Sequence, residues 1–333
     1  MSLARAAQRP PIRIGHAGLG FWGPNVARNF SELAELSWLC DLSPELLAEA
    51  AGRYPGVRST ADFGELLADP ELDAVSIATP VITHYELARQ ALLAGKHVFV
   101  EKPPAQSSAE ADELYALAEE RGLVFMPGYL LLYHPAVAKL KELIKEGGLG
   151  EVLYLYGNRQ NLGQIRRDEN ALWSLGAHDL SVMLYLVGEE PTEAWARGES
   201  FLREGVEDVV FCYLRFPSGV VAHMHLSWLD PQKMRKLTVV GRDKMAVFDD
   251  MEQERKLTVH DKGPVLRPAS EWQVRTGDIH IPRVENEEPL RLECRHFLSL
   301  VAGSGDRLGP ARDGLAVVRT LEQLQASLDR TPA

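Results

Sequence analysis

Cysteine, long apolar runs and excess positive charge are all scarce in this sequence, and each shortage excludes a class of protein. The three cysteines, Cys40, Cys212 and Cys294, are widely spaced and form no CxxC pair, so neither a disulfide framework nor a zinc ribbon is encoded. No apolar run approaches the roughly 18 residues of a membrane span. Residues 1–11 lack the apolar core of a secretion signal. We therefore expect a cytoplasmic protein.

The charge balance argues against polyanionic partners. The chain has 36 Lys and Arg against 47 Asp and Glu, which gives a formal net charge of −11. Such a surface repels nucleic-acid phosphates and anionic lipids at long range. We therefore expect no nucleic-acid or membrane partner, and a small molecule as the ligand.

Length and hydrophobic pattern together predict two domains. The 333 residues amount to roughly two domains of about 150 residues each. Residues 12–126 alternate short apolar runs with helical patterns, which is typical of βαβ units and a parallel sheet. Beyond Phe125, longer strands are joined by tight turns such as Pro217–Gly219. The expected fold class is α/β, with a Rossmann parallel sheet in residues 1–127 and an α/β domain on an open, mainly antiparallel sheet in residues 128–333.

The second sheet is expected to join two or more subunits. In the strand predicted over Val206–Phe216, apolar residues such as Val210 and Phe211 point to opposite faces. A sheet that is apolar on both faces must be covered twice, and we expect helices on one side and a second subunit on the other, in a homodimer or homotetramer. His223 and His225 share the less apolar face of their strand without an evident third ligand, so no metal site is expected. Residues 261–289 are predicted to be irregular.

A glycine-rich turn follows the first predicted strand, Ile12–Ala17, and precedes a predicted helix. The G-x-G-x-x-G spacing in this setting is typical of a dinucleotide-binding turn, in which the helix N-terminus faces the pyrophosphate. A glycine turn without ligand is the alternative, which the surrounding strand and helix disfavour. The candidate cofactor residues of this turn are Gly18, Gly20, Phe21, Trp22 and Gly23.

Asp41 suggests which dinucleotide is bound. It ends the next predicted strand, 23 residues after Gly18, near the spacing of about 20 for an acid that binds ribose hydroxyls. Its carboxylate would repel a 2′-phosphate, and Leu42–Pro44 offers no Arg or Lys to offset that repulsion. NAD is therefore the expected cofactor, and NADP is disfavoured.

Two further predicted strands end in residues that suit a cofactor site. Val75–Ala78 leads into Thr79–Pro80, and His97–Val100 leads into Glu101–Lys102. Ligands of open α/β sheets lie outside the carboxyl ends of the strands, so both turns are expected to border the crevice of the glycine turn. Lys102 would then lie beside the nicotinamide. The pattern alone equally allows a solvated lysine in a turn made rigid by proline.

Several short motifs, taken together, resemble those of one enzyme family. The motifs are Ala78–Pro80, His84, Gly95–Val98 and Glu101–Pro103. They are similar to the signature run of the Gfo/Idh/MocA oxidoreductases, the family of glucose-fructose oxidoreductase and inositol dehydrogenase. Longer segments are similar to the branch of that family that acts on nucleotide sugars; they are Gly128–Pro135, Asn158–Gly163, Leu172–Asp179 and Ser227–Leu229.

The resemblance implies a fold, a cofactor and two catalytic residues. The fold would be a Rossmann domain followed by an α/β domain whose open sheet mediates oligomerisation, with a nicotinamide cofactor and a sugar or polyol substrate. It implies that Lys102 and His178 belong to the active site and that His84 belongs to the cofactor site. Many members carry Asp four residues before the histidine, where this chain has Ser174, which we assign at most an orienting role.

Alcohol oxidation explains why these two residue types would be needed. Histidine, with a reference pKa near ~6.5, suits removal of a hydroxyl proton, and a nearby ammonium stabilises the developing alkoxide. We therefore expect His178 to act as general base and Lys102 as its electrostatic partner in one shared cleft. Arginines such as Arg159 suit the phosphates of a nucleotide sugar, although solvated loop arginines are an alternative. The candidate substrate residues are Tyr129, Arg159, Asn161, Arg166 and His178.

The expected activity is NAD-dependent oxidation or reduction of a secondary sugar hydroxyl. The resemblance favours C3 of a nucleotide sugar such as UDP-N-acetylglucosamine. Three alternatives stay open: an inositol or free-sugar dehydrogenase, an NAD-dependent glycoside hydrolase of the same fold, and a dinucleotide-sensing regulator. The presence of both Lys102 and His178 argues against the regulator.

Overall fold

The chain divides into two compact units in the computed structural model, which describes residues 11–163, 165–166, 169–267, 271–305 and 314–329. The first unit runs through Gly128 and takes in a later segment that begins at Leu290; the second begins at Tyr129 and includes the last helix. The predicted division into residues 1–127 and 128–333 has a single boundary, so it does not include this return of the chain to the first unit.

Six parallel strands form the sheet of the first unit. They are β1 (Arg13–Ala17), β2 (Glu35–Cys40), β3 (Arg58–Thr60), β4 (Ala74–Ile77), β5 (His97–Glu101) and β6 (Phe125–Gly128). Their order is β3-β2-β1-β4-β5-β6, the order of the doubly wound Rossmann fold. All four residues of β4 are buried, as expected for a strand covered on both faces. The predicted parallel sheet is confirmed.

The helices of the first unit begin where the sequence provides caps. They are α1 (Gly23–Leu33), α2 (Pro44–Arg53), α3 (Phe63–Leu67), α4 (His84–Leu93), α5 (Ser108–Glu120) and, far along the chain, α8 (Pro289–Val301). The Oγ of Ser43 accepts a hydrogen bond from the Leu46 N–H at 3.3 Å, with Pro44 as the first helical residue. Ser107 caps α5 in the same way, through the Glu110 N–H at 3.2 Å. Both serines thus act as N-caps, as their place before a helical pattern favours.

Helix α8 is attached to the first unit by three aromatic rings. Phe297 of α8, Phe30 of α1 and Phe99 of β5 are fully buried and meet edge to face, with ring centroids 5.6 to 5.9 Å apart. Such pairs add to the free energy of burying large apolar side chains. These contacts explain why a helix that follows the second unit in sequence completes the core of the first.

Eight strands form the sheet of the second unit. They are β7 (Val152–Gln160), β8 (Glu193–Glu199), β9 (Val209–Arg215), β10 (Val221–Ser227), β11 (Met234–Gly241), β12 (Met245–Asp249), β13 (Leu257–Arg267) and β14 (Glu271–His280). Their order is β14-β13-β12-β11-β7-β10-β9-β8. Strands β7 and β10 pair parallel, and every other pair of adjacent strands in this sheet is antiparallel. The predicted mainly antiparallel sheet is confirmed.

The prediction of irregular structure over residues 261–289 is wrong. Much of this segment forms β13 and β14, which pair antiparallel from Val259 with His280 to Arg267 with Glu271. Nearly every side chain of β14 is exposed, so no alternation of buried and exposed residues marks the strand in the sequence. Backbone pairing with a neighbour, which the sequence does not display, makes it a strand.

Helices cover one face of the second sheet and leave the other open. The helices are α6 (Pro135–Lys145), α7 (Ala177–Val187) and α9 (Gly314–Leu328). Leu214 of β9 packs in one core with Leu180 of α7 and Leu324 of α9, which confirms the predicted helical cover. On the opposite face, the Phe211 side chain is 49% exposed.

Within the described ranges, no helix combines the length and apolar character needed to cross a membrane.

Phe297→Ala should destabilise the first unit by about 3–5 kcal/mol, because truncating a buried phenylalanine loses apolar contacts and leaves a cavity. Urea unfolding followed by tryptophan fluorescence measures the change. Leu42→Ala is the control, because Leu42 is 86% exposed, and it should leave the free energy of unfolding nearly unchanged. Equal stability of the two variants would contradict the role given to the aromatic contacts.

Candidate functional site

The glycine turn after β1 is held by backbone contacts that exclude larger residues. Gly18 has a φ of +97°, and a Cβ there would lie 2.6 Å from the carbonyl carbon of Ala78. A Cβ on Gly23 would lie 1.8 Å from the Gly18 carbonyl oxygen. The turn therefore packs tightly against the end of β4 and against the start of α1, as the motif requires.

The space above this turn suits the pyrophosphate of a dinucleotide. Among the described residues, apart from its two chain neighbours, no heavy atom lies within 4 Å of the position that a Cβ on Gly20 would occupy. Trp22, the N-cap of α1, makes no side-chain capping bond, and the first turn of α1 contains no acidic residue. The helix thus presents N–H groups and the positive end of its dipole without a competing side chain. The residues present fit NAD.

A buried histidine that sequence reasoning missed supports the turn from below. His16 of β1 lies with Nε2 2.7 Å from the Gly18 carbonyl oxygen and Nδ1 2.7 Å from the Ser76 Oγ. Burial lowers the pKa of His16 to about 4, so the ring is neutral. Because a carbonyl only accepts, Nε2 carries the proton and Nδ1 accepts from the Ser76 hydroxyl. The available signal was a histidine between the small residues Gly15 and Ala17 at the end of an otherwise apolar run.

Asp41 lies where β2 ends, directly beside the glycine turn. Its Oδ2 accepts a hydrogen bond from the Leu19 N–H at 2.6 Å, and its Oδ1 accepts one from the Ser43 N–H at 2.8 Å. The carboxylate is therefore fixed between the glycine turn and the start of α2. This is the position from which an acid can meet the ribose of a bound dinucleotide.

His84 connects the two turns that were predicted to border the cofactor. It is buried, with Nε2 2.8 Å from the Thr79 carbonyl oxygen and Nδ1 2.8 Å from the Pro103 carbonyl oxygen. Burial lowers its pKa, and a neutral imidazole donates to one carbonyl at a time. The buried His84 ring therefore lies between the two turns and positions both Thr79–Pro80 and the turn at Lys102.

Glu101 joins the glycine turn to the end of β5. Its Oε1 accepts a hydrogen bond from the Trp22 Nε1–H at 2.8 Å. Burial raises the pKa of Glu101 to about 7, although the Lys102 ammonium and the Trp22 indole oppose that rise. Three predicted cofactor residues are thus brought together: Trp22, Glu101 and Lys102.

In the second unit, His178 lies in the first turn of α7. One π-helical turn, Leu172–Gly176, directly precedes this helix, and such turns are frequent at functional sites. Within it, the Ser174 Oγ accepts a hydrogen bond from the Trp228 Nε1–H at 3.1 Å. Ser174 is thereby engaged with Trp228.

The structure pairs Arg159 with a buried carboxylate. Its guanidinium, on β7, is 7% exposed and donates to both oxygens of Asp179, from Nη2 at 2.8 Å and from Nε at 3.2 Å. Arg159 was predicted to bind substrate phosphate, and the bidentate pair occupies two of its donor groups. Because Asp179 follows His178 directly, the pair fastens the first turn of α7 to the sheet.

The remaining predicted substrate residues lie in different settings. Tyr129 is 2% exposed, and its hydroxyl donates to the Gly314 carbonyl oxygen at 3.4 Å, so it packs in the core. Asn161 is half-buried, and its backbone N–H donates to the Ser227 carbonyl oxygen at 3.0 Å. Arg166 is exposed and lies 3.7 Å from a Glu169 carboxylate oxygen.

Arg166 borders a cavity of about 310 Å³ in the second unit. A second arginine, Arg203, lines the same cavity, together with the apolar side chains of Ile165, Leu202 and Trp228. Sequence reasoning missed Arg203 because it stands in an exposed loop without a motif. Asp208 also lines the cavity, and its Oδ2 accepts a hydrogen bond from the Leu202 N–H at 2.7 Å. The wall thus combines two cationic side chains, one acidic side chain and apolar surface, which suits a ligand with both polar and ring groups.

Comparison with known families supports the reading of both units. The model of an oxidoreductase family with an NAD-binding Rossmann fold matches residues 12–129, and the GFO/IDH/MocA C-terminal domain model matches residues 137–247. This chain belongs to the Gfo/Idh/MocA oxidoreductase family. It is an oxidoreductase, and its first unit is an NAD-binding Rossmann domain.

Individual members of the family match nearly the whole chain. UDP-N-acetylglucosamine 3-dehydrogenase of Acidithiobacillus ferrooxidans is 31% identical over 299 residues, 87% of this chain and 89% of that protein. Its crystal structure superposes with a TM-score of 0.82, covering 96% of this chain and 99% of that one at 26% identity. The NAD(+)-dependent scyllo-inositol 2-dehydrogenase of Bacillus subtilis is 26% identical and covers 87% of this chain and 86% of its own. GenD2 from gentamicin A biosynthesis, in complex with NAD, has a TM-score of 0.80 at 25% identity, covering 97% of this chain and 95% of that one.

Gly20→Ala should weaken NAD binding without affecting folding. The added methyl group meets no protein atom but fills the space in which a pyrophosphate would approach the backbone. We expect the Kd for NAD to rise at least about tenfold, which is about 1.4 kcal/mol, with an unchanged melting temperature. Calorimetric titration and thermal unfolding measure the two quantities. Gly52→Ala, also free of steric contact but on α2, is the control, and equal NAD affinity of both variants would refute the assignment.

Proposed function

We propose that this Gfo/Idh/MocA enzyme oxidises or reduces a secondary hydroxyl of a sugar, with C3 of a nucleotide sugar such as UDP-N-acetylglucosamine as the preferred position. The observation that carries the proposal is the extent of the similarity to UDP-N-acetylglucosamine 3-dehydrogenase, which spans 87% of this chain. The match thus reaches beyond the cofactor domain into the second unit, where substrate specificity would be determined.

The two arginines of the second-unit cavity provide positive charge, which the diphosphate of a nucleotide sugar requires. The chain carries a net charge of −11, so a diphosphate must be attracted by local cations at short range, where salt screens little. Arg166 and Arg203 line one cavity, and planar guanidinium groups suit phosphate oxygens. We assign the diphosphate to these two residues, and a polar contact with the sugar to Asn161.

We assign the chemistry to His178 and Lys102. NAD, when bound, supplies the acceptor for the hydride that leaves the carbinol carbon. His178 takes the hydroxyl proton on Nδ1 or Nε2, and the Lys102 ammonium stabilises the negative charge that develops on the oxygen. The Arg159–Asp179 pair holds the turn that carries His178. Ser174, engaged with Trp228, has no proton-transfer role in this proposal.

One observation favours a second candidate, the oxidation of an uncharged polyol. Because Arg159 is paired with Asp179, the carboxylate offsets its positive charge, and the attraction of Arg159 for a phosphate is weaker. The similarity to scyllo-inositol 2-dehydrogenase covers 87% of the chain. A free inositol would need hydrogen-bonding groups but no cationic cavity.

A panel of sugars read by NADH absorbance tests the proposal. UDP- and dTDP-sugars should be oxidised with higher kcat/KM than free inositols and glucose. His178→Ala should lower kcat by about 10²- to 10⁴-fold, the usual contribution of a general base, with unchanged affinity for NAD. His280→Ala, an exposed histidine on β14, is the matched control.

Each alternative has its own outcome in the same assay. A higher kcat/KM for free inositols would reject the nucleotide sugar as the substrate and favour the second candidate, the oxidation of an uncharged polyol. Release of free sugar from an aryl glycoside without net NADH would indicate the glycoside hydrolase. Full activity of His178→Ala would show that another group takes the proton.

We further propose that the enzyme is a cytoplasmic homo-oligomer joined through the open face of the second sheet. That face carries aromatic residues on neighbouring strands, including Trp195, 46% exposed, and Phe211. Trp195 stacks on Tyr213 with ring centroids 5.2 Å apart, and Phe211 stacks on His225 at 4.4 Å. Flat apolar faces of this kind are typical of subunit interfaces. The absence of an encoded disulfide framework supports the cytoplasmic location.

Sedimentation equilibrium at micromolar concentration should give a mass of two or four chains. Phe211→Glu should shift the protein toward the monomer, because a charge would be buried in the interface. Met251→Glu, at an exposed turn of the same unit, should keep the wild-type mass. A monomeric wild-type protein would reject this part of the proposal.

A further inference from the structure

The π-helical turn Leu172–Gly176 ends two residues before His178. Turns of this kind are rare and lie frequently at functional sites. Because Ala177 and His178 continue the helix directly, a displacement of the turn also displaces the His178 side chain. The contacts that hold the turn therefore help to decide where the imidazole lies.

The end of strand β10 holds the middle of the turn. The Trp228 Nε1–H donates to the Ser174 Oγ at 3.1 Å, and both side chains are buried. Gly176 packs closely on the same strand, since a Cβ there would lie 2.9 Å from the Leu226 Cδ1. Trp228 follows β10 directly, and its backbone N–H donates to the Asp208 carbonyl oxygen at 2.9 Å. The indole that meets Ser174 is therefore itself fixed through its backbone.

Helix α9 holds the same turn through a second set of hydrogen bonds. The Gln325 Oε1 accepts from the Trp173 Nε1–H at 3.1 Å and from the Asn170 Nδ2–H at 2.9 Å. The Asn170 Oδ1 accepts from the Trp173 backbone N–H at 3.1 Å, and its Nδ2 also donates to the Glu207 Oε2 at 2.6 Å. The Gln325 Nε2 donates to the Asp329 Oδ1 at 2.9 Å. Both amide oxygens thus meet donors and both amide nitrogens meet acceptors, so the network fixes the orientation of the two amides.

Consecutive residues of the turn are thus bonded to two elements that are far apart in the sequence. Trp173 is bonded to α9, and Ser174 is bonded to the residue after β10. Neighbouring residues of a helical turn project in directions that differ by roughly a quarter of a turn. The two bonds therefore restrain the turn in two directions, which limits its rotation as well as its shift.

Trp228 also connects the turn with the cavity to which we assign the diphosphate. Its side chain lines that cavity together with Arg166 and Arg203. Ser174 and Gln325 are not among the described residues that line it. Variants of Ser174 and Gln325 can therefore separate the holding of the turn from the binding of a ligand.

We propose that Trp228 and Gln325 are positioning residues, which hold the π-helical turn from two separate elements and thereby place His178 for proton transfer. Neither residue touches the reacting atoms in this proposal. Trp228 has a second role, because it also forms part of the cavity wall. The inference rests on the proposed function of His178 and deepens it.

Steady-state kinetics with the best sugar of the panel test the placement of His178. Ser174→Ala and Gln325→Leu should each lower kcat about 10- to 100-fold, because a displacement near 1 Å can cost about 10²-fold, while KM and the Kd for NAD stay within about twofold of wild type. Ser174→Thr keeps the hydroxyl acceptor and should retain most of the activity. Trp228→Phe should lower kcat to a similar extent, and its combination with Ser174→Ala should be no slower than either variant alone. Trp272→Phe, at an exposed residue of β14, is the matched control and should keep the wild-type kcat.

Amide hydrogen exchange over residues 172–178 provides a second test, which needs no substrate and also serves if Ser174→Ala fails to fold. Trp228→Phe keeps an aromatic ring in the core, and Gln325 is only half-buried, so both variants are expected to fold. Both should raise the exchange rates of these amides about tenfold, because the local opening of the turn is opposed by fewer bonds. Trp272→Phe should leave the rates unchanged. Wild-type exchange rates or a wild-type kcat in both variants would overturn the proposal.

Failure of this inference can be distinguished from failure of the proposed function. A slow His178→Ala together with wild-type kcat in Ser174→Ala and Gln325→Leu would refute the inference alone. Full activity of His178→Ala would refute the proposed proton acceptor, and the exchange rates would still decide whether Trp228 and Gln325 hold the turn. The same holds if no sugar of the panel is oxidised.

Discussion

The contact between the backbone of Gly23 and the Gly18 carbonyl oxygen is the constraint on which the cofactor site depends. With a Cβ only 1.8 Å from that oxygen, any other residue would push the start of α1 away from β1. The close approach leaves the helix N-terminus facing the open space above Gly20. His16, bonded to the same carbonyl from below, fixes the turn from the core side. A dinucleotide therefore meets a preorganised surface, and little ordering is left to oppose its binding.

One buried ion pair lies beside the residue to which we assign the proton transfer. Arg159 and Asp179 satisfy each other with two hydrogen bonds, and they fasten the turn that carries His178. Such a pair contributes little net stability, yet breaking it by removing one partner is costly. The pair instead fixes the position of the first turn of α7. A bidentate guanidinium achieves this better than an apolar pair, because it specifies direction as well as distance.

Local patterns in the sequence predicted much of the fold and part of the site. The glycine spacing, the caps of α2 and α5, and the hairpin turn at Pro217–Gly219 depend on residues a few positions apart, so their chemistry is visible in the sequence. The edge strand β14 left no such signal, because nearly all of its side chains are exposed. The pairing of Arg159 with Asp179 was equally hidden, since it joins residues twenty positions apart.

The sequence by itself determined that a strand, a glycine turn and a helix follow each other, that an acid ends the second strand, and that a lysine and a histidine stand in the motifs of one oxidoreductase family. The strand, turn, helix and acid follow from short-range sterics and periodicity, whereas the roles of the lysine and the histidine are what the family resemblance implies. The tertiary structure alone decided that α8 returns to the first unit, and that Phe297 packs there against Phe30 and Phe99. Contacts of that kind depend on which distant surfaces pack together, and the free energy that selects them belongs to the folded chain as a whole.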